Sequence, residues 1–271
     1  MNWVDELTAR LVHEPAVLVR VAATQGSVPR EQGAWMAVFG SGVLGTIGGG
    51  HLELQAIAQA QAHLRGEALP DTLRYALGPS LGQCCGGVVH VQFERLASAD
   101  SQTLRSQLAR AQSPVALFGG GHVGKALVTV LGQLPFAVRW IDSRDEIFPA
   151  QVPGNVHWEH SDPVQACVAD LNPGSMVLIM SFSHAEDLDV VAACLKRQRE
   201  RADLGFVGLI GSKTKWATFC HRLEERGFSV AELAGVTCPI GVPGIHGKEP
   251  EVIAVAVAAQ LLQVVSIGKA R

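Results

Sequence analysis

Two adjacent cysteines lie in a glycine-rich stretch, Gly82-Gln83-Cys84-Cys85-Gly86-Gly87. Glycine on both sides gives the thiols little side-chain cover and lets the backbone approach a ligand closely. Such thiols suit a soft partner: a metal, a sulfur atom or another thiol. No further Cys or His pair stands at zinc spacing, which argues against a structural zinc site. A vicinal disulfide would strain the intervening peptide. The alternative is a structural turn with partly buried thiols. Three of the remaining cysteines fit apolar faces. Cys220 repeats with Trp216, Phe219 and Leu223, Cys167 with Val164, Val168 and Leu171, and Cys194 with Leu188, Val191 and Leu195. Each is expected to act as a small buried hydrophobe. Cys238 precedes Pro239 in a loop and has no such pattern.

Two more glycine-rich segments stand out, Gly26-Ser27-Val28-Pro29-Arg30 and the run from Gly45 to Glu53, which contains Gly48-Gly49-Gly50. Three glycines before a helix make a close-approach surface. Arg30 offers planar, bidentate recognition of a phosphate or a polar ring edge. His51 and Glu53 fall in the helix's first turn, where Glu53 is also compatible with the helix dipole as a surface acid.

A third segment fits a nucleotide-binding fingerprint. Val115 to Phe118 runs into Gly119-Gly120-Gly121-His122-Val123-Gly124, a G-x-G-x-x-G between a strand and a helix. An acid, Asp142, follows at the end of the next strand. This pattern predicts a tight turn that aims backbone N–H groups at a phosphate, with Asp142 placed to accept from a ribose diol. The alternative is close strand–helix packing around an empty site. His184, Asp187 and Asp189 lie past a later strand end, where an α/β sheet binds ligands, and they could equally cap the following helix. Ser212 is an N-cap candidate after Gly211. Lys213 and Lys215 oppose the helix dipole there unless an anion is bound.

These segments require two kinds of scaffold. Residues 1–96 read as strands interrupted by glycine turns: 16–22, 34–39, 42–47 and 88–96, with a helix over 51–64. In the last strand Val89, Val91 and Phe93 alternate with polar residues, so it is half-buried. Residues 97–113 are polar and read as a linker carrying an exposed helix from Thr103 to Ala111. Residues 114–271 alternate strands (115–118, 137–141, 175–181, 205–210) with helices (122–133, 185–201, 212–226, 249–265). The fold predicted is α/β: a C-terminal Rossmann-like parallel sheet with helices on both faces, beside a smaller N-terminal α+β domain.

Composition narrows the function classes. The chain has 271 residues, 48% hydrophobic and 17% charged, with a formal net charge of -3. No basic stretch suggests nucleic acid. No apolar run is expected to reach the ~18 residues of a membrane span. The start, MNWVDELTARL, is acidic and helical rather than a signal peptide. Six cysteines without regular spacing give no disulfide framework, so a reducing cytoplasm is the expected compartment.

The ordered set GSVPR (26–30), GTIGGGHLE (45–53), LGQCCGG (81–87), FGGGHVGKAL (118–127), SFSHAEDLD (181–189), GLIGSKTK (208–215) and PIGVPGIHGKEPEVIAVAVAAQLL (239–262) resembles the XdhC/CoxI family. These are accessory proteins for xanthine dehydrogenase and related molybdenum hydroxylases. The resemblance implies binding of the molybdenum cofactor, a pyranopterin dithiolene that carries molybdenum and a phosphate. It implies protection of that cofactor while a cysteine desulfurase installs the sulfido ligand, then transfer to the apo-hydroxylase. It also implies a homodimer, and a carrier rather than an enzyme. On this view Cys84 and Cys85 are candidates to contact molybdenum or its sulfido group. The cofactor-binding candidates are Arg30, Gly48, Gly49, Gly50, Glu53, Gln83, Cys84, Cys85, Gly119, Gly121, His122, Gly124, Asp142, His184, Asp187 and Ser212. The rival expectation is an NAD(P)-dependent oxidoreductase built on the fingerprint and Asp142. A thiol relay and a cofactor-free interaction scaffold are further alternatives.

Overall fold

A computed structural model describes residues 3–68, 70–78, 86–108 and 111–269. Contacts divide the chain into two units, Met1–Ala109 and Arg110–Arg271.

The first unit is built on a five-stranded antiparallel sheet. Its elements are α1 (Trp3–Leu11), β1 (Ala16–Gln25), β2 (Trp35–Phe39), β3 (Gly42–Gly45), α2 (Gly50–Leu64), β4 (Thr72–Ala76), β5 (Val88–Leu96) and α3 (Ser101–Leu108). The strand order is β3-β2-β1-β5-β4. Strand alternation separates two cores. Val17, Val19, Val21, Met36, Val38, Val89, Val91 and Phe93 face Leu52, Ala56 and Ala60 of α2. Ala16, Leu18, Ala37 and Phe39 face Leu7 and Leu11 of α1 and Leu104 and Leu108 of α3. The helix expected to be exposed is therefore buried at Leu104 and Leu108, because these two residues, four apart, form one apolar face among polar neighbours.

The second unit is a six-stranded parallel sheet. Its elements are β6 (Ser113–Phe118), α4 (His122–Leu131), β7 (Phe136–Asp142), β8 (Val156–His160), β9 (Met176–Ile179), α5 (His184–Arg201), β10 (Phe206–Leu209), α6 (Lys213–Glu225), α7 (Val230–Leu233), β11 (Val236–Thr237) and α8 (Pro250–Lys269). The order is β11-β10-β9-β6-β7-β8, and every pairing is parallel. The strand order reverses between β6 and β9, which is where such sheets open a ligand crevice. One face packs on α4 and α8 through Leu127, Leu131, Val257 and Leu261. The other packs on α5 and α6 through Leu188, Val191, Phe219 and Leu223. This is the predicted fold class.

α8 corrects one expectation. Pro250–Ile267 is 18 residues long with mean hydropathy 1.8, enough by length and composition to cross a membrane. Its Ala254, Val257, Ala258 and Leu261 are buried in the sheet core against α4. Small alanines on that face let the helix pack closely, and they keep its mean hydropathy high.

Candidate functional site

In the first unit, three glycine-rich stretches meet at one end of the sheet. Register pairs Gln25 with Val88, and Met36 with Gly45, so the chain leaves β1, β3 and β4 at this end. A Cβ on Gly87 would lie 2.4 Å from the Ser27 carbonyl oxygen and 2.6 Å from that of Gln25. A Cβ on Gly48 would lie 2.5 Å from Pro29 Cβ. Only glycine permits these approaches, and Gly48 also holds φ +123°. The contact between Gly26 and Gly87, and the Leu77 N–H bond to the Gly87 carbonyl at 2.8 Å, fix both ends of the segment that carries Gln83, Cys84 and Cys85. Those three residues themselves lie outside the described residues.

Glu53 shapes the neighbouring loop. Its Oε2 accepts from the Thr46 hydroxyl, from the Ile47 N–H at 3.0 Å and from the Gly49 N–H at 3.1 Å. The acid holds the loop that precedes its own helix. α2 begins at Gly50 with no side-chain cap, and the space around a Gly49 Cβ is open. Arg30 is half-buried beside Gly48, and it makes no hydrogen bond or ion pair among the described residues. Arg30, Gly48, Gly49, Gly50 and Glu53 thus stand together.

In the second unit the fingerprint glycines each answer a different steric demand. A Cβ on Gly119 would meet the Met180 carbonyl oxygen at 2.0 Å, and one on Gly124 the Gly119 carbonyl oxygen at 2.1 Å. One on Gly120 would meet Ile147 Cγ2 at 2.7 Å. Gly121 faces open space, and α4 starts after it with no side-chain cap and no acid in the first turn. That is the geometry of a backbone that a phosphate can approach. His122 is exposed at the first helical position. The Trp140 indole donates to the Gly119 carbonyl at 2.9 Å and holds the turn against β7.

Asp142 is 2% exposed. Its Oδ2 accepts from the Gly120 N–H and from Arg144 Nη2 at 2.9 Å. Its Oδ1 accepts from the Arg144 N–H and Nε, both at 2.9 Å. Burial pushes this carboxyl up, but the Arg144 guanidinium and the two backbone N–H groups outweigh it and hold it below the usual carboxylate range. Both oxygens are thereby occupied by the protein's own donors, so a ribose diol would have to displace Arg144. The Arg144 guanidinium in turn lies 4.3 Å over the Phe182 ring. Glu186 links the loops after β7 and β9: it accepts from Ser143 Oγ at 2.9 Å and from the Phe182 N–H at 3.1 Å.

Asp187 and Lys215 form a buried ion pair at 2.7 Å, with side-chain exposures of 3% and 13%. Asp187 also accepts the Ser181 N–H at 2.7 Å, and Lys215 donates to the Ile210 carbonyl at 2.9 Å. Asp187 therefore supplies the anion that a cation in the first turn of α6 requires. Ser183 and Ser212 cap α5 and α6 through their hydroxyls. His184 is exposed and meets Phe219 edge-on at 6.3 Å.

Desolvation disfavours the thiolate form at all four described cysteines. Burial pushes the Cys194 thiol up to about 12 and the Cys238 thiol to about 11, and it raises Cys167 and Cys220 as well. No group of three or more metal-binding side chains occurs among the described residues. The functional candidates that sequence reading missed are Arg144 and Phe182, together with the burial of Lys215. The Asp-x-Arg spacing at 142–144 was the signal available for the first. The cation at an unfavourable helix start was the signal for the last.

Residues 115–261 match the XdhC Rossmann domain, and residues 9–76 match the XdhC and CoxI family. The chain is 25% identical over 257 residues to the uncharacterized protein YqeB of Escherichia coli K12. That alignment covers 92% of this chain but only 43% of YqeB, so the chain spans less than half the length of this relative. A Bacillus halodurans protein solved under the name xanthine dehydrogenase superposes with a TM-score of 0.77 at 20% identity, over 98% of this chain and 96% of that one, which is a likeness of fold. With the Rossmann domain matched over more than half its length, this chain belongs to the XdhC and CoxI family.

Proposed function

We propose that this protein carries the molybdenum cofactor, shields it during sulfuration by a cysteine desulfurase, and delivers it to apo-xanthine dehydrogenase or a related molybdenum hydroxylase. Family membership supports association with the cofactor in general terms. The observation that carries the reading is the convergence of Gly26–Arg30, Gly48–Gly50 and Gly86–Gly87 at one end of the first sheet. The residues there fit such a cargo. Gly49 and Gly86 leave open space, and Arg30 has unused donors for a phosphate or a pterin edge. Glu53 fixes the loop through neutral donors.

In this reading Cys84 and Cys85 supply thiolates to a soft, sulfur-rich centre. The raised thiol pKa values of Cys167, Cys194, Cys220 and Cys238 favour the vicinal pair for that task. A carrier must release what it holds, which labile ligands serve better than a closed cage. The cargo brings the metal and its redox chemistry; the chain's own residues bind, orient and cover it. A homodimer and a cytoplasmic location are parts of the same proposal.

An oxidoreductase reading is favoured by the fingerprint geometry at Gly119, Gly121 and Gly124. Against it, Asp187 is locked to Lys215 and Asp142 is held by Arg144. The test is a transfer assay. Full-length protein is loaded with cofactor released from a molybdenum enzyme, re-isolated and mixed with apo-hydroxylase. Activation faster than with free cofactor is expected. Activation no faster than with free cofactor contradicts the carrier reading.

A further inference from the structure

The crevice of the parallel-sheet unit contains a cation that the carrier reading does not use. Three side chains define it. Asp142, at the end of β7, has both oxygens filled. Arg144 donates through Nε and Nη2 to that acid, while its Nη1 makes no hydrogen bond among the described residues. His160, at the end of the neighbouring β8, is exposed and places Nε2 3.1 Å from the Ser143 carbonyl, next to Arg144. Gly120 and Arg144 bind the same Asp142 oxygen, so the guanidinium sits beside the fingerprint loop. Phe182 presents a ring that is 64% exposed under the same guanidinium, a surface for a base to stack on. Asp145 and Glu146 follow Arg144 in the same loop and are exposed, and Glu186 also meets it, with its oxygens already bound by Ser143 and the Phe182 N–H.

A Rossmann crevice that prefers an unphosphorylated dinucleotide reads the ribose diol with a free carboxylate, and one that takes a 2′-phosphate places an arginine there instead. Here the carboxylate is occupied by the arginine itself. We propose that Arg144, assisted by His160, makes this crevice selective for a 2′-phosphorylated dinucleotide of the NADP class over NAD, with the phosphate on Arg144 Nη1 and the pyrophosphate over Gly121. Arg144 is a specificity-determining residue on this account. The inference is independent of the carrier reading, because nucleotide binding is measured without molybdenum or pterin.

The test is titration calorimetry of the full chain with NADP+ and NAD+. NADP+ should bind at least about tenfold more tightly, as a charge-assisted contact to one phosphate allows. Arg144→Ala frees Asp142 for the diol, so it should weaken NADP+ and strengthen NAD+ until the preference is lost or reversed. Arg144→Lys keeps the charge without the planar fork and should retain a smaller preference of the same sign. His160→Ala should weaken NADP+ alone. The last two variants decide the matter if Arg144→Ala does not fold. Equal affinity of the parent for both nucleotides, binding of neither, or an unchanged ratio in the variants overturns the proposal.

Discussion

Two glycine loops, one in each unit, precede helices without side-chain caps, and each is held by an acid. The acids are managed differently. Glu53 reaches back from the first turn of its own helix and accepts three neutral donors. Asp142 comes from the adjacent strand and is neutralised by Arg144. The first arrangement shapes a loop while leaving Arg30 unused beside it. The second closes off its acid in an ion pair and leaves the Arg144 Nη1 donors facing outward. Similar glycine patterns therefore frame differently charged surroundings, and the acid's partner tells them apart.

The fingerprint loop should be the less forgiving of the two. Gly119→Ala places a Cβ on the Met180 carbonyl at φ +122°, so it should lower stability by about 4 kcal/mol, read by denaturant unfolding. Gly121→Ala, in open space, should stay within about 1 kcal/mol. Parity between these two would break the distinction between packing and ligand-facing glycines. Next in size, Lys215→Met leaves Asp187 buried without its counter-ion and should cost about 3 kcal/mol in the same measurement. Glu53→Ala removes three donors' shared acceptor and should cost about 2 kcal/mol. It should also raise amide exchange at Ile47 and Gly49 while leaving the second unit's protection unchanged.

The smallest effect is on pH dependence. The Asp142 pKa is lowered in the folded state. Its contribution is therefore present above the unfolded carboxylate pKa of about 3.9 and lost as pH falls through the lower folded value. Asp142→Asn should shrink the difference in urea midpoint between neutral pH and pH 3. An unchanged difference would show that the Arg144 pair does not distinguish this loop from the one held by Glu53.

Much of the scaffold was legible because strong patterns marked it. The runs at 16–22 and 115–118, the alternation in 88–96 and the capped helix after Ser183 all appear where period and turn chemistry put them. β4, β8 and β11 were not legible. Thr72–Ala76 and Val156–His160 are short edge strands rich in polar side chains, with burial confined to a few residues. β11 is only two residues long. Their pairing comes from neighbours rather than from their own hydrophobicity. At the site, the role of the glycines could be read from spacing. The direction of Asp142 could not, because it depends on an arginine two residues on. Arg30 was visible as a type, while its nearness to Gly48 depends on pairing across β1, β2 and β3.

The most direct test compares the two loops in one preparation. The parent, the Cys84→Ala/Cys85→Ala double variant and Gly121→Val are purified from cells that make the molybdenum cofactor, and bound molybdenum and released pterin are measured per chain. The account predicts both near one in the parent, loss in the cysteine variant, and retention in Gly121→Val. Retention in the cysteine variant together with loss in Gly121→Val would contradict it and move the cargo to the fingerprint loop.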